Sequence, residues 1–214
     1  MKRLALTGIA TVAFALGAFA QGSINLDNSA STFNYGVTVD QTSANGGAYY
    51  GGTYGLEVWE LSGATSVPAG IDIAAAPGSG AAAYSAMVAA GFKLETTFAN
   101  KTMPSGSGTL VLGQVNMPDV TPAGSTVVLG LAAWNTSAAS WSAMLNGANA
   151  NTRAGVIAFL NPTANYTVTP APTPANITGW NSASDLVMTA VPEPGTFALA
   201  GLGAAALLIF RRRK

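Results

Sequence analysis

Hydrophobic and polar positions alternate in short bursts along most of this chain, and breaks carrying glycine or proline separate the bursts. The breaks are Asn45-Gly46-Gly47, Gly51-Gly52, Pro68-Ala69-Gly70, Pro77-Gly78-Ser79-Gly80, Pro104-Ser105-Gly106, Pro122-Ala123-Gly124 and the stretch from Pro170 to Pro174. Such residues mark turns because they supply unusual φ angles or withhold a backbone donor. Candidate strands lie between them at residues 23–26, 33–39, 54–61, 91–98, 109–115, 126–134, 156–159, 166–169 and 184–189. Short strands with regular punctuation predict a mainly β fold, an antiparallel β-sandwich with one or two short helices.

Two strands can be oriented from their pattern. In 54–61, Tyr54, Leu56 and Val58 alternate with Glu57 and Trp59, which puts a carboxylate and an indole on the less buried side. In 126–134 both alternating sets are apolar, Val127-Leu129-Leu131-Ala133 and Val128-Gly130-Ala132-Trp134. That segment is expected to be a central strand covered on each face. Residues 74–90 are rich in alanine and carry Tyr84, Met87 and Val88 at helical spacing, so a short helix is expected there, with a second helical turn within 140–149.

The two ends break the alternation with continuous apolar runs. At the front, Met1-Lys2-Arg3 is basic, Leu4 to Phe19 is apolar, and Ala18-Phe19-Ala20 has the small-residue form of a cleavage site before Gln21. These are the parts of a secretory signal peptide, so signal peptidase is an expected partner. At the back, Pro192-Glu193-Pro194 precedes an apolar run over 196–210, and Arg211-Arg212-Arg213-Lys214 follows it. A helix over that run reaches roughly 22 Å at about 1.5 Å per residue, short of a bilayer core of about 30 Å. Snorkelling cations and local thinning make up the difference. Positive charge stays cytoplasmic, so the body of the chain is placed on the far side of the membrane. The expected organisation is a signal peptide at 1–20, an ectodomain at 21–190, the Pro-Glu-Pro segment at 191–195, a transmembrane helix at 196–210 and a basic tail at 211–214.

Taken in order, Pro192-Glu193-Pro194, the short helix and the arginine-rich terminus resemble the PEP-CTERM sorting signal of Gram-negative bacteria. The resemblance implies recognition by exosortase, a membrane cysteine transpeptidase that removes the tail and passes the protein to the cell surface or an exopolysaccharide matrix. Its physical logic is that two prolines fix φ and refuse helical or sheet hydrogen bonding. Glu193 is thereby displayed on the extended strip a protease requires. The ectodomain resembles, at family level, those of other PEP-CTERM surface proteins through Ala133-Trp134-Asn135 and Ile24-Asn25-Leu26-Asp27-Asn28. That likeness implies a β-rich secreted domain and brings no catalytic residues.

Charge and chemistry narrow the function of the body. The full chain is formally neutral. Within 21–190, however, Asp27, Asp40, Glu57, Glu60, Asp72, Glu95, Asp119 and Asp185 face only Lys93, Lys101 and Arg153, a net of −5. An acidic domain without a basic stripe argues against nucleic acid as a partner. Histidine and cysteine are both absent, which removes Ser-His-Asp and Cys-His catalysis, zinc sites built on those residues, and disulfide staples. Paired carboxylates are left for glycoside hydrolysis, with Glu57 and Glu60 the nearest pair. Three residues apart on a strand, they are expected on opposite faces. Gly46-Gly47 and Gly51-Gly52 lack the rest of a phosphate loop. No cofactor or metal site is expected, although Asp27, Asn28 and Asp40 with backbone carbonyls leave calcium open.

Sugar binding needs only flat aromatic faces and a few amides, for which Trp59, Trp141 and Trp180, with Tyr49 and Tyr50, are the candidates, Trp59 being also open to a place in the core. Trp134 is expected in the core. The resulting expectation is a non-enzymatic, exported surface or matrix protein associated with exopolysaccharide. A carbohydrate-binding module or adhesin is the alternative, and a carboxylate-based hydrolase a third.

Overall fold

A computed structural model of the protein describes residues 22–28, 36–39, 50–71, 79–102, 110–120, 122–166, 168–170, 172–182, 185–191 and 202–203. The expected signal peptide at 1–20, the Pro-Glu-Pro residues, most of the apolar run at 196–210 and the basic residues 211–214 lie outside these. Among the described residues, no helix is long and apolar enough to cross a membrane.

The elements run in the order β1 (Gly22–Asp27), β2 (Val37–Val39), β3 (Thr53–Leu61), α1 (Ser79–Ala89), β4 (Lys93–Thr102), β5 (Val111–Met117), β6 (Thr126–Trp134), α2 (Trp141–Asn146), β7 (Arg153–Pro162), β8 (Ala164–Asn165), β9 (Ala175–Asn176), a 3-10 turn (Gly179–Ser182) and β10 (Leu186–Ala190). The chain is mainly β, with two sheets. The larger has strand order β2-β10-β7-β6-β3-β4, and the smaller has β5-β1-β8 with β9 also paired to β1. Most pairs are antiparallel, but β10 with β2 and β1 with β9 are parallel, so a purely antiparallel arrangement is corrected at two short strands.

The doubly apolar segment sits where its pattern requires. β6 is flanked by β7 and β3 and is buried at every position after its first. One of its faces contributes Val127, Leu129, Leu131 and Ala133 to a core shared with Ile24 and Leu26 of β1 and Val115 and Met117 of β5. The other contributes Val128, Ala132 and Trp134 to a second core beneath α1 and α2, with Met87, Trp141 and Met144. The larger sheet is thus covered on both sides, by the smaller sheet and by the helices.

Glycine permits two of these close approaches. Gly55 pairs with Trp134 across β3 and β6, and the indole fills the space where a side chain at Gly55 would stand. At Gly130 a Cβ would lie 2.6 Å from Met87 Sδ, so the bare strand lets α1 settle onto the sheet. Ser140 caps α2, its side chain accepting from Ala143 N at 3.2 Å. Both expected helices form within their segments, although 72–78 lies outside the described residues.

One expected strand is displaced. Tyr166 is in a turn, Val168 and Thr169 are in a bend, and the pairing goes instead to Ala164–Asn165 of β8. Pro170, Pro172 and Pro174 follow closely and cannot donate to a ladder, which discourages a strand that far along the segment.

Candidate functional site

Three carboxylates far apart in sequence meet at one end of the two-sheet body. Glu60 lies near the end of β3, directly opposite Lys93 at the start of β4. The β3–β4 register slips there, pairing Val58 with Thr96 and Trp59 with Leu94. Glu95 is the extra residue of this bulge, a feature that re-aims side chains. Asp119 comes from the turn after β5, which is pinned by the buried Met117 and Val120 and by a hydrogen bond from Val120 N to Met117 O at 3.5 Å. Oxygens of Glu60, Glu95 and Asp119 all fall within 4.8 Å of one another.

Burial and crowding set the electrostatics of this cluster. Glu60 is only 1 % exposed, and neither carboxylate oxygen has a hydrogen-bond donor among the described residues. Burial first, then the charges of Glu95 and Asp119, push Glu60 up to about 7, with Lys93 pulling the other way. The Asp119 amide approaches closely enough to lower it a little, without the geometry of a hydrogen bond. Glu95 is likewise pushed up to about 7, by burial and then by Asp119. Lys93 Nζ holds Asp119 Oδ2 at 2.6 Å, with both side chains open to solvent. A pocket of about 210 Å³ is lined by Glu60, Leu61, Ser62, Gly91, Lys93 and Asp119. An all-oxygen set of this kind suits a hard cation.

Glu57 has a different environment. Its Oε2 accepts from Trp59 Nε1 and from the Tyr84 hydroxyl, each at 3.1 Å, and its Oε1 accepts from the Trp141 main-chain N–H at 2.9 Å. Tyr84 stacks on Trp141 with ring centroids 4.5 Å apart, and the edges of Trp59 and Trp134 close the aromatic group. Glu57 therefore ties the two helices to the sheet, whereas Glu60 faces the turn that leaves the smaller sheet. The two carboxylates sit in separate clusters.

The aromatic candidates for sugar stacking are corrected by burial. Trp141 and Trp180 are both fully enclosed, the first against Tyr84 and the second stacked on Phe159 with centroids 5.9 Å apart. Tyr50 is half-buried against the core and donates its hydroxyl to Thr53 O at 3.0 Å. Tyr49 lies outside the described residues. Of the residues left open for calcium, Asn28 is buried and its side chain accepts from Leu110 N, while Asp40 is outside the described residues. Glu95 and Asp119 were not singled out in the sequence. Pro118-Asp119 carries a turn signal and Lys93-x-Glu95 a local charge pair, but neither shows that they converge on Glu60.

The folded body ends against the sorting segment. β10 lies between β2 and β7, and Val191, one residue beyond it, is buried with its N–H bonded to Thr152 O at 3.0 Å. Pro192 follows at once; the expected cleavage-site residues Ala18, Ala20 and Gln21, like Pro192, Glu193, Pro194 and the tail Arg211 to Lys214, are outside the described residues. No curated protein and no solved structure matches the chain. A family model for the PEP-CTERM protein-sorting motif matches residues 190–214, so the chain carries a PEP-CTERM sorting signal at its C-terminal end, a signal that implies export and processing by exosortase.

Proposed function

We propose that this chain is a non-enzymatic protein whose β-sandwich ectodomain is carried across the membrane, freed from its tail and lodged in an extracellular polysaccharide matrix. The observation that carries this reading is the sorting motif at residues 190–214, placed directly after the last strand of the folded body. The lack of histidine and cysteine supports a structural role, as does the engagement of Glu57 by three donors. Burial of Trp141 and Trp180 takes away two of the three indoles on which an adhesin reading rested, and the third, the partly buried Trp59, is tied to Glu57 through its Nε1. A surface relying on serine, threonine and asparagine for solubility, rather than on charge, suits contact with hydrated glycans.

The test replaces Pro192, Glu193 and Pro194 with alanine and follows the protein by mass spectrometry and fractionation. The expected wild-type product is shortened at its C-terminus and sediments with the polysaccharide fraction. The variant is expected to stay at full tail length in the membrane. Equal shortening of both proteins overturns the sorting reading, and a shortened product that never accompanies polysaccharide overturns the matrix reading.

A further inference from the structure

The pocket at Glu60 gathers more negative charge than the protein neutralises. Glu60 and Asp119 line it with one ammonium, Lys93, the Glu95 carboxylate lies beside them, and oxygens of the three fall within 4.8 Å of one another. Two oxygens bound to one calcium ion at about 2.4 Å lie at most about 4.8 Å apart, so this spacing is compatible with a shared ion. A second observation is independent of the clustering. Glu60 is 1 % exposed, lines the pocket, and has neither oxygen hydrogen-bonded among the described residues. A buried carboxylate without a donor is unfavourable unless a cation satisfies it.

We propose that Glu60, Glu95 and Asp119 bind a divalent cation of the calcium type. The ligands come from a strand, a bulge and a turn, an irregular arrangement that calcium accepts and magnesium, with its strict octahedron, does not. Lys93 is the internal rival: it holds Asp119 at 2.6 Å, but its side chain is 65 % exposed. Such a pair contributes little and yields readily to an arriving ion. Glu60 and Glu95 belong to the larger sheet, and Asp119 to the turn that leaves the smaller one. The ion would therefore cross-link the two sheets in a chain that has no cysteine to do so.

The full chain, stripped with chelator, is titrated with calcium chloride in a calorimeter and melted with and without it. A single saturable site is expected, with a melting temperature that rises with calcium concentration. Glu95→Gln and Asp119→Asn are each expected to weaken binding at least about tenfold. Lys93→Gln is expected to bind calcium more tightly than wild type, a change in the direction opposite to that of a merely destabilised fold. Magnesium chloride is expected to bind at least about tenfold more weakly. Absence of saturable calcium binding, equal affinity in wild type and Glu95→Gln, or magnesium bound as tightly as calcium overturns the assignment.

Discussion

Glu57 and Glu60 stand three residues apart on β3, yet the first carboxylate accepts three hydrogen bonds and the second accepts none among the described residues. Strand alternation sends one toward the helices and the other toward the inter-sheet end. Removing the charge has opposite consequences at the two positions. Glu57→Ala orphans the Trp141 N–H, the Tyr84 hydroxyl and the Trp59 indole N–H, and is expected to cost on the order of 3 kcal/mol by urea unfolding. It should also flatten the near-ultraviolet circular dichroism of the stacked rings. Glu60→Gln in chelator removes an unpaired buried charge and is expected to be neutral or stabilising. A destabilisation of Glu60→Gln as large as that of Glu57→Ala would contradict this division.

The contact between Trp134 and Gly55 yields a second expectation. Trp134 is fully buried, and its truncation to alanine is expected to cost about 3–5 kcal/mol. Gly55→Ala drives a methyl group into the indole and is expected to cost about 1–3 kcal/mol. In the double variant the collision disappears, so its loss should be smaller than the sum of the two single losses. Strict additivity in denaturant titrations would show that the indole is not what excludes a side chain at Gly55.

How much was legible depended on the range of the determining contacts. The two-faced burial of β6 could be read from its own residues, because apolar side chains on both alternations have one stable setting. The helical turn expected within 140–149 was likewise local. What could not be read were the partners across the sheets. Trp141 and Trp180 are indistinguishable in sequence from exposed platforms, and only the stacking of Tyr84 and Phe159 against them decides their burial. The cluster of Glu60, Glu95 and Asp119 depends on a bulge and on the packing of one turn against a strand from the other sheet, neither of which leaves a spacing signature. The sorting motif at residues 190–214 was legible because its parts follow one another along the chain and need no tertiary contacts to be recognised.

The tie between Val191 and Thr152 sets how close processing can come to the fold. Chains ending anywhere from Val191 to Gly195 keep every described bond of β10 and are expected to melt within a few degrees of one another, since surface changes alter stability by about 0.5 kcal/mol or less. A chain ending at Asp185 loses Leu186 and Met188 from the core and removes the strand that joins β2 to β7. It is expected to be degraded by a protease that leaves the longer chains intact. Survival of the shorter chain would mean that the last strand is dispensable.

The raised pKa values of Glu60 and Glu95 predict the pH dependence of the metal-free protein. Both carboxyls move from an ordinary value of 4.5 to about 7 on folding, so between those limits the native state binds more protons than the unfolded one. Stability then falls as pH rises through that window, because its slope follows the protons bound by the unfolded state minus those bound by the native state. For the enclosed Glu60 the loss is on the order of 2 kcal/mol; the less buried Glu95 adds a smaller share because solvent screens it. Lys93, which faces the same pocket, stays charged throughout and contributes no slope here. Urea unfolding in chelator is therefore expected to give a midpoint that declines from pH 5 to pH 7.5, and the decline should be absent in the Glu60→Gln, Glu95→Gln double variant. A midpoint that rises over this interval in the wild type would mean that these carboxylates are ionised and already paired in the fold, contrary to the crowding described at the pocket.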